Sequence, residues 1–360
     1  MIYLAVNLRD QIEYYHYLTR EQEIEATKRS NSILYEARRN AKIDKCLICG
    51  RAMNSFCNSH TVPQFSLRKI SPDGIVLNFN SLLESPAMRK DSGLNQAGVF
   101  HVICHDCDNK VFQEYENPNN YKEESLSTKM MAEIALKNYL KLIDKKLFER
   151  VLNQLLIQRF PHHQSAMQHR LDVVEFDYNN YKVGFEKAKR LSKKDDNDGY
   201  YLIYYKLLNY TAPMAFQAAI TLAVDFEGEI VNAIYNMNSN YKMKELHLAV
   251  LPMNGKTAIV MFIDNGEKRY KSFIRQFNQL SECDKLGAIN YLIFLYSEDY
   301  FFSKTIKDKI DTDCLRRIAG IMPQYYTFET KEPRELLSGD FRLDKWNSIP
   351  NLLDRTYAIE

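Results

Sequence analysis

Two Cys-x-x-Cys pairs limit this chain more than any other feature. Cys46-Leu47-Ile48-Cys49 and Cys104-His105-Asp106-Cys107 stand with 54 residues between them. In each pair a tight turn aims two thiolates at one ion, and two such knuckles supply the tetrahedral four-sulfur set that structural zinc prefers. The separation exceeds that of a minimal zinc ribbon, so a structured insertion is expected between the knuckles. A rival set exists. Cys57-Asn58-Ser59-His60 follows the first knuckle, and Cys46, Cys49, Cys57 and His60 would make a site without the second pair. The remaining cysteines, Cys283 and Cys314, read as small buried residues.

The rest of the sequence supports reduced thiols. There are 360 residues, 45% hydrophobic and 26% charged, with a net charge of +2. This is the composition of a globular chain of two or three domains with a core large enough to stand without disulfides. Whole-chain charge makes no case for nucleic acid or membrane. No 18-residue apolar run occurs, and the start, MIYLAVNLRD, lacks the basic region of a signal peptide. A cytoplasmic protein is therefore expected, in which clustered cysteines hold metal rather than bridge one another.

The fold class expected is α+β, in four parts. Residues 1–42 read as a helical segment. Apolar positions at Ile12, Tyr15, Leu18, Ile24, Ala26, Ile33 and Ala37 suit a helix packed on the protein or on a second copy in a homodimer. Residues 43–118 hold five of the seven cysteines, broken by turns at 71–74 and 92–93. Residues 119–191 read as a helical, basic connector. Met130, Met131, Ile134, Ala135, Tyr139, Leu142, Ile143 and Leu147 mark a helix that Pro161 ends. Residues 129–170 carry eight Lys/Arg against three Asp/Glu, whereas 44–116 are near neutral with seven against eight. Any basic surface is thus expected on these helices. A polar linker at 192–199 leads into 200–360, an α+β domain on an antiparallel sheet. Strands are expected at 200–208, 218–225, 230–235, 246–251 and 257–263, with a hairpin at Asn254-Gly255. Helices are expected near 267–281, 284–297 and 303–321.

The insertion carries Ser59-His60-Thr61-Val62-Pro63, and the second knuckle continues as Cys107-Asp108-x-x-x-Phe112-x-x-Tyr115-Glu116. The order of knuckle, His-x-x-Pro, knuckle and polar residue resembles the zinc-containing HNH endonucleases of the ββα-metal, or His-Me finger, superfamily. It is most similar to a bacterial branch often met near defence genes. The resemblance covers 43–118.

That resemblance implies a zinc-stapled ββα-metal module with flanking helices and a metal-dependent hydrolysis of DNA, less readily RNA, in bacterial antiviral defence. His60 would be the general base that activates water, since imidazole titrates near working pH. Asp108, where the family usually has His, would hold a catalytic Mg²⁺ or Mn²⁺. Glu116 or His105 are further candidates for that ion. Ser59 stands where many members have a metal-binding Asp, and Asn95 is the nearest match to the middle Asn. Lys110, Lys137, Lys141 and Lys145 are expected to contact phosphate. Residues 200–360 would then restrain the nuclease or bind a partner. His162 and His163 read as loop residues. The competing expectation is a catalytically degenerate zinc module that docks nucleic acid or a protein partner without cutting. No Gly-rich phosphate loop or Gly-x-Ser-x-Gly elbow is present.

Overall fold

The computed structural model describes residues 19–78, 91–122, 125–161, 164–236, 238, 240–310, 312–321 and 341–359. The positions expected on the first helix before residue 19, and His162 and His163, lie outside these residues.

Helix α1 (Arg20–Asn40) starts with a capping box, in which Thr19 and Gln22 satisfy each other's backbone N–H groups. A 32-residue helix, α4 (Thr128–Arg159), runs into a 28-residue partner, α5 (Gln164–Leu191), through a turn at Phe160-Pro161. Where these two helices cross, Gly184 admits Tyr139. A Cβ on Gly184 would lie 2.2 Å from the ring's Cζ. Helix α1 packs within the chain on the far end of α4, with Ala37 against Leu152, Leu155 and Leu156.

Among the described residues between α1 and α4 lie the short helices α2 (Gln64–Ile70) and α3 (His105–Val111) and the short strands β1 (Ser59–His60), β2 (Ile75–Asn78), β3 (Asp91–Gly93) and β4 (Val99–Phe100). After α5 come β5 (Tyr200–Leu208), β6 (Met214–Ile220), β7 (Leu246–Met253) and β8 (Lys256–Asp264). Helices α6 (Lys271–Gln279) and α7 (Glu282–Tyr296), strand β9 (Tyr300–Phe302) and helix α8 (Thr312–Ala319) complete the set among the described residues.

The architecture is mixed helix and antiparallel sheet. Strands β1 and β4 form a two-stranded ladder, and the other seven form one sheet in the order β3-β2-β9-β6-β7-β8-β5. Strands β6 and β7 are buried along their whole length, so both faces of the sheet are covered. Successive side chains alternate between two cores, as the twofold strand period requires. Phe216, Leu248, Val250 and Met261 face α6 and α7. Ala215, Ala249, Leu251, Val260 and Phe262 face α4, the cysteine knuckles and Phe100.

One pairing in this sheet runs between residues 43–118 and residues 200–360. Strand β2, from the stretch between the knuckles, pairs with β9 through Leu77–Phe302 and Asn78–Phe301. Its apolar residues need two covered faces, and the C-terminal sheet offers an edge. The two parts therefore share a core, with Val76 in one cluster and Leu77 in the other.

Two expected strands are corrected. The strand placed at 218–225 is Met214–Ile220, and 230–235 holds no strand beyond a single bridge from Val224 to Ile230. Buried polar groups take over the backbone pairing there. Asp225 accepts the N–H groups of Glu227 and Glu229, and Asn232 bonds the carbonyls of Leu222 and Lys244. The hairpin at Asn254-Gly255 is present, with Gly255 at φ +66° and Met253 opposite Lys256.

Candidate metal centre and the lysine beside it

The first knuckle forms because Gly50 adopts φ +72°, which turns the chain so that its N–H meets the Cys46 carbonyl at 2.8 Å. The Cys46 N–H reaches the Arg51 carbonyl, and the Leu47 N–H reaches Val102, tying the first knuckle to the approach of the second. Cys104 precedes α3, and its N–H donates to Cys46 Sγ at 3.3 Å.

The ligand atoms of Cys46, Cys49, Cys104 and Cys107 all lie within 4.8 Å of one another. Cys49 Sγ and Cys104 Sγ are 3.8 Å apart, the S···S edge of a tetrahedron with metal–sulfur bonds of about 2.3 Å. Arg51 donates from Nε to Cys49 Sγ and from its guanidinium to Cys104 Sγ, and it pairs with Asp106 at 2.7 Å. These donors hold the Cys49 thiol down at about 6. Burial pushes the Cys107 thiol upward, with Cys104 and Cys49 adding to it. Four thiols packed together are relieved by a cation that converts them to thiolates, so this donor set fits a metal ion such as zinc.

The rival set is not assembled. Cys57 donates its S–H to the Ile103 carbonyl, and burial together with the nearby Asp108 charge pushes its thiol up to about 12. His60 contacts a different carbonyl. Its Nε2 lies 3.0 Å from Leu94 O, beside the exposed Asn95.

His60 sits on β1, where Ser59 faces Phe100 and His60 faces Val99. The next residue fixes this strand, since Thr61 donates both its N–H and its hydroxyl to the Gly98 carbonyl. Gly98 is at φ +64°, with Phe301 pressed close to where a Cβ would stand. Pro63 starts α2. The neighbouring side chain, Ser59, is fully buried and donates to Asp108 Oδ1 at 2.6 Å. Strand, strand and helix α3 thus meet at Ser59 and Asp108.

The Asp108 carboxylate is already engaged. Lys137 Nζ on α4 lies 2.9 Å from Asp108 Oδ1, 2.8 Å from Glu116 Oε1 and 3.9 Å from the centre of the Phe112 ring. Lys137 is 1% exposed. Burial opposes its charge, but Glu116 and Asp108 outweigh burial and hold its pKa above the ordinary lysine value. One turn earlier, Glu133 accepts the N–H groups of Glu114 and Tyr115. Helix α4 therefore grips the stretch after the second knuckle with two buried side chains, one of each sign. Burial drives the Glu133 carboxyl up to about 7.

A catalytic divalent ion does not fit this arrangement. Mg²⁺ keeps a near-octahedral shell of oxygens, several of them water. Here one oxygen of each carboxylate already faces a buried ammonium, which itself lies over an aromatic ring. His105 does not join them, since its Nδ1 contacts Asn109.

The other expected phosphate contacts are placed as follows. Lys137 has no access to solvent. Lys145 pairs with Glu298 at 3.3 Å, and Lys141 donates to the Val99 carbonyl. Lys110 is exposed at the end of α3. It lines a groove of about 450 Å³ together with Lys129, Lys189 and Lys193, next to Ile48 of the first knuckle. The two acidic residues of this groove are engaged, Glu114 by Lys129 and Glu133 by backbone N–H groups. Lys189 and Lys193 belong to a run in which five of the eight residues 187–194 are Lys or Arg. That run begins inside the connector expected to be basic, at 187–191, and continues past it to Lys194. Among the described residues no helix is long and apolar enough to cross a membrane. No protein-family model, curated protein or solved structure matches the chain.

Proposed function

We propose that residues 43–118 are an HNH-like ββα module, stapled by zinc at Cys46, Cys49, Cys104 and Cys107, that binds nucleic acid without cutting it. The observation that carries the choice is the Lys137 ammonium between Asp108 and Glu116. A hydrolase of this type needs a cation that can reach the scissile phosphate, and a lysine at 1% exposure cannot supply one. The binding surface is the groove beside α3, where Lys110, Lys189 and Lys193 offer cationic groups to a phosphate backbone. Contacts of this kind are independent of sequence, so DNA and RNA duplexes are both candidate ligands, DNA first.

Fluorescence anisotropy with a labelled duplex tests this reading. Each phosphate contact contributes about 0.9 to the slope of log affinity against log salt. The double variant Lys110→Glu and Lys193→Glu should therefore bind more weakly and show a shallower slope by about 2. An affinity that ignores salt, or that survives both charge reversals, would point to a protein partner instead.

One observation favours the nuclease as a second reading. The Leu94 carbonyl at His60 Nε2 would fix the ring tautomer with the proton there, leaving Nδ1 able to accept one. In a defence nuclease His60 would deprotonate the attacking water, and residues 200–360 would restrain it.

A further inference from the structure

We propose that the ammonium of Lys137 is the resident cation of the Asp108–Glu116 carboxylate pair, standing in place of a divalent ion, so that the module is independent of Mg²⁺ and Mn²⁺. The occupancy rests on geometry alone, and the comparison with a divalent ion rests on the HNH-like reading.

Three features make Lys137 a fixture rather than a passing partner. Its Nζ lies within hydrogen-bond distance of one oxygen from each carboxylate, and Ser59 donates to the same Asp108 oxygen. The two acids come from opposite ends of one short stretch, α3 and the turn after it, so one ammonium closes that stretch on itself. The side chain also has nowhere to swing. It is buried, lies over the Phe112 ring, and springs from the part of α4 where Ile134, Ala135 and Leu136 are all buried.

A second cation cannot be added to this site. An ion bound to Asp108 would stand about one ligand diameter from the ammonium. Like charges about 4 Å apart repel by several kcal/mol even at a protein-like dielectric near 20. Mg²⁺ would also have to share Asp108 Oδ1 with the Ser59 hydroxyl and the ammonium already bonded to it. Conversely, a neutral side chain at 137 leaves two carboxylates facing each other with no cation, which is the donor chemistry of a Mn²⁺ site.

The test is Mn²⁺ binding to the zinc-loaded full chain, followed by electron paramagnetic resonance, with zinc content and circular dichroism recorded for every variant. Wild type should show no Mn²⁺ that Asp108→Asn removes. Lys137→Met should bind one Mn²⁺ at least about tenfold more tightly than wild type, the least that losing a close like charge implies. Adding Asp108→Asn to Lys137→Met should abolish that binding. A folded Lys137→Met that binds no Mn²⁺ would overturn the proposal. So would a wild-type Mn²⁺ site lost in Asp108→Asn, a comparison that decides the matter if Lys137→Met does not fold. None of these readouts involves nucleic acid. Failure here and failure of the binding reading are therefore separate results.

Discussion

Asp108→Asn and Glu116→Gln, made singly and together, probe the lysine clamp by its energetics. In the single variant Asp108→Asn, Lys137 keeps Glu116 at 2.8 Å, so no buried charge is left alone. What weakens are the two charge-assisted hydrogen bonds to Asp108, from Lys137 and from Ser59. Bonds to charged groups contribute about 1.5–3 kcal/mol each, and Asn retains one acceptor, so a loss of about 2–3 kcal/mol is expected. Glu116 is the more exposed partner, with 35% of its side chain accessible against 22% for Asp108. Glu116→Gln should cost less, about 1 kcal/mol. The double variant differs in kind, because it leaves a buried ammonium with no counter-charge. Removing the last partner of a buried ion costs about 3–5 kcal/mol, against the ~1 kcal/mol of Glu116→Gln when Asp108 is present. The double variant should therefore lose more than the sum of the singles, by about 2 kcal/mol or more. Urea unfolding followed by circular dichroism, with zinc saturating, measures all three. Additive losses, or an Asp108→Asn variant within about 0.5 kcal/mol of wild type, would refute the buried clamp.

Three further outcomes are expected. Cys104→Ser should lose the bound zinc and destabilise the knuckles, read by elemental analysis and by thiol alkylation of the native protein; full zinc retention would contradict the four-cysteine site. His247, buried among Tyr139, Tyr200 and Phe262, is held down at about 4 by burial. A depressed folded-state value means its neutral form supports folding above pH 6.5 and that support is lost as pH falls toward 4, by about 1.4 kcal/mol per unit relative to His247→Phe. Parallel pH profiles of the two proteins would contradict that assignment. Gly184→Ala should destabilise by about 1–3 kcal/mol, because the new methyl collides with the Tyr139 ring; Tyr139→Leu should make the same change milder.

The sequence was most readable where one local rule decided the outcome. The two Cys-x-x-Cys turns met as their spacing suggested, Asn254-Gly255 turned a hairpin, and Pro161 ended α4 where its pattern stopped. The difficulty lay with polar residues on elements covered from both sides. Lys137 looks like one of many solvated lysines on a basic helix. Its burial depends on the stretch after the second knuckle folding over one face of α4 while the sheet covers the other. Asn138, its neighbour, contacts His247 and Gln217 on that second face. The pairing of β2 with β9 joins residues more than 200 positions apart, and no local pattern encodes it. At 225–232 the strand-like run Ile230–Tyr235 lost its ladder to the side chains of Asp225 and Asn232, which bond backbone groups four and ten positions away. The basic groove was half visible, since the charge run at 187–194 is plain, but its position beside Ile48 and Lys110 comes only from the fold.

Supercoiled plasmid incubated with the zinc-loaded full chain, with and without added Mg²⁺ or Mn²⁺, gives the most direct measurement. Retardation of the plasmid on a gel, with the DNA still supercoiled under every metal condition, is the result predicted for a binding module whose cation is Lys137. Nicked or linear plasmid that requires the divalent ion and disappears in His60→Ala would contradict it, and would make residues 43–118 a working nuclease.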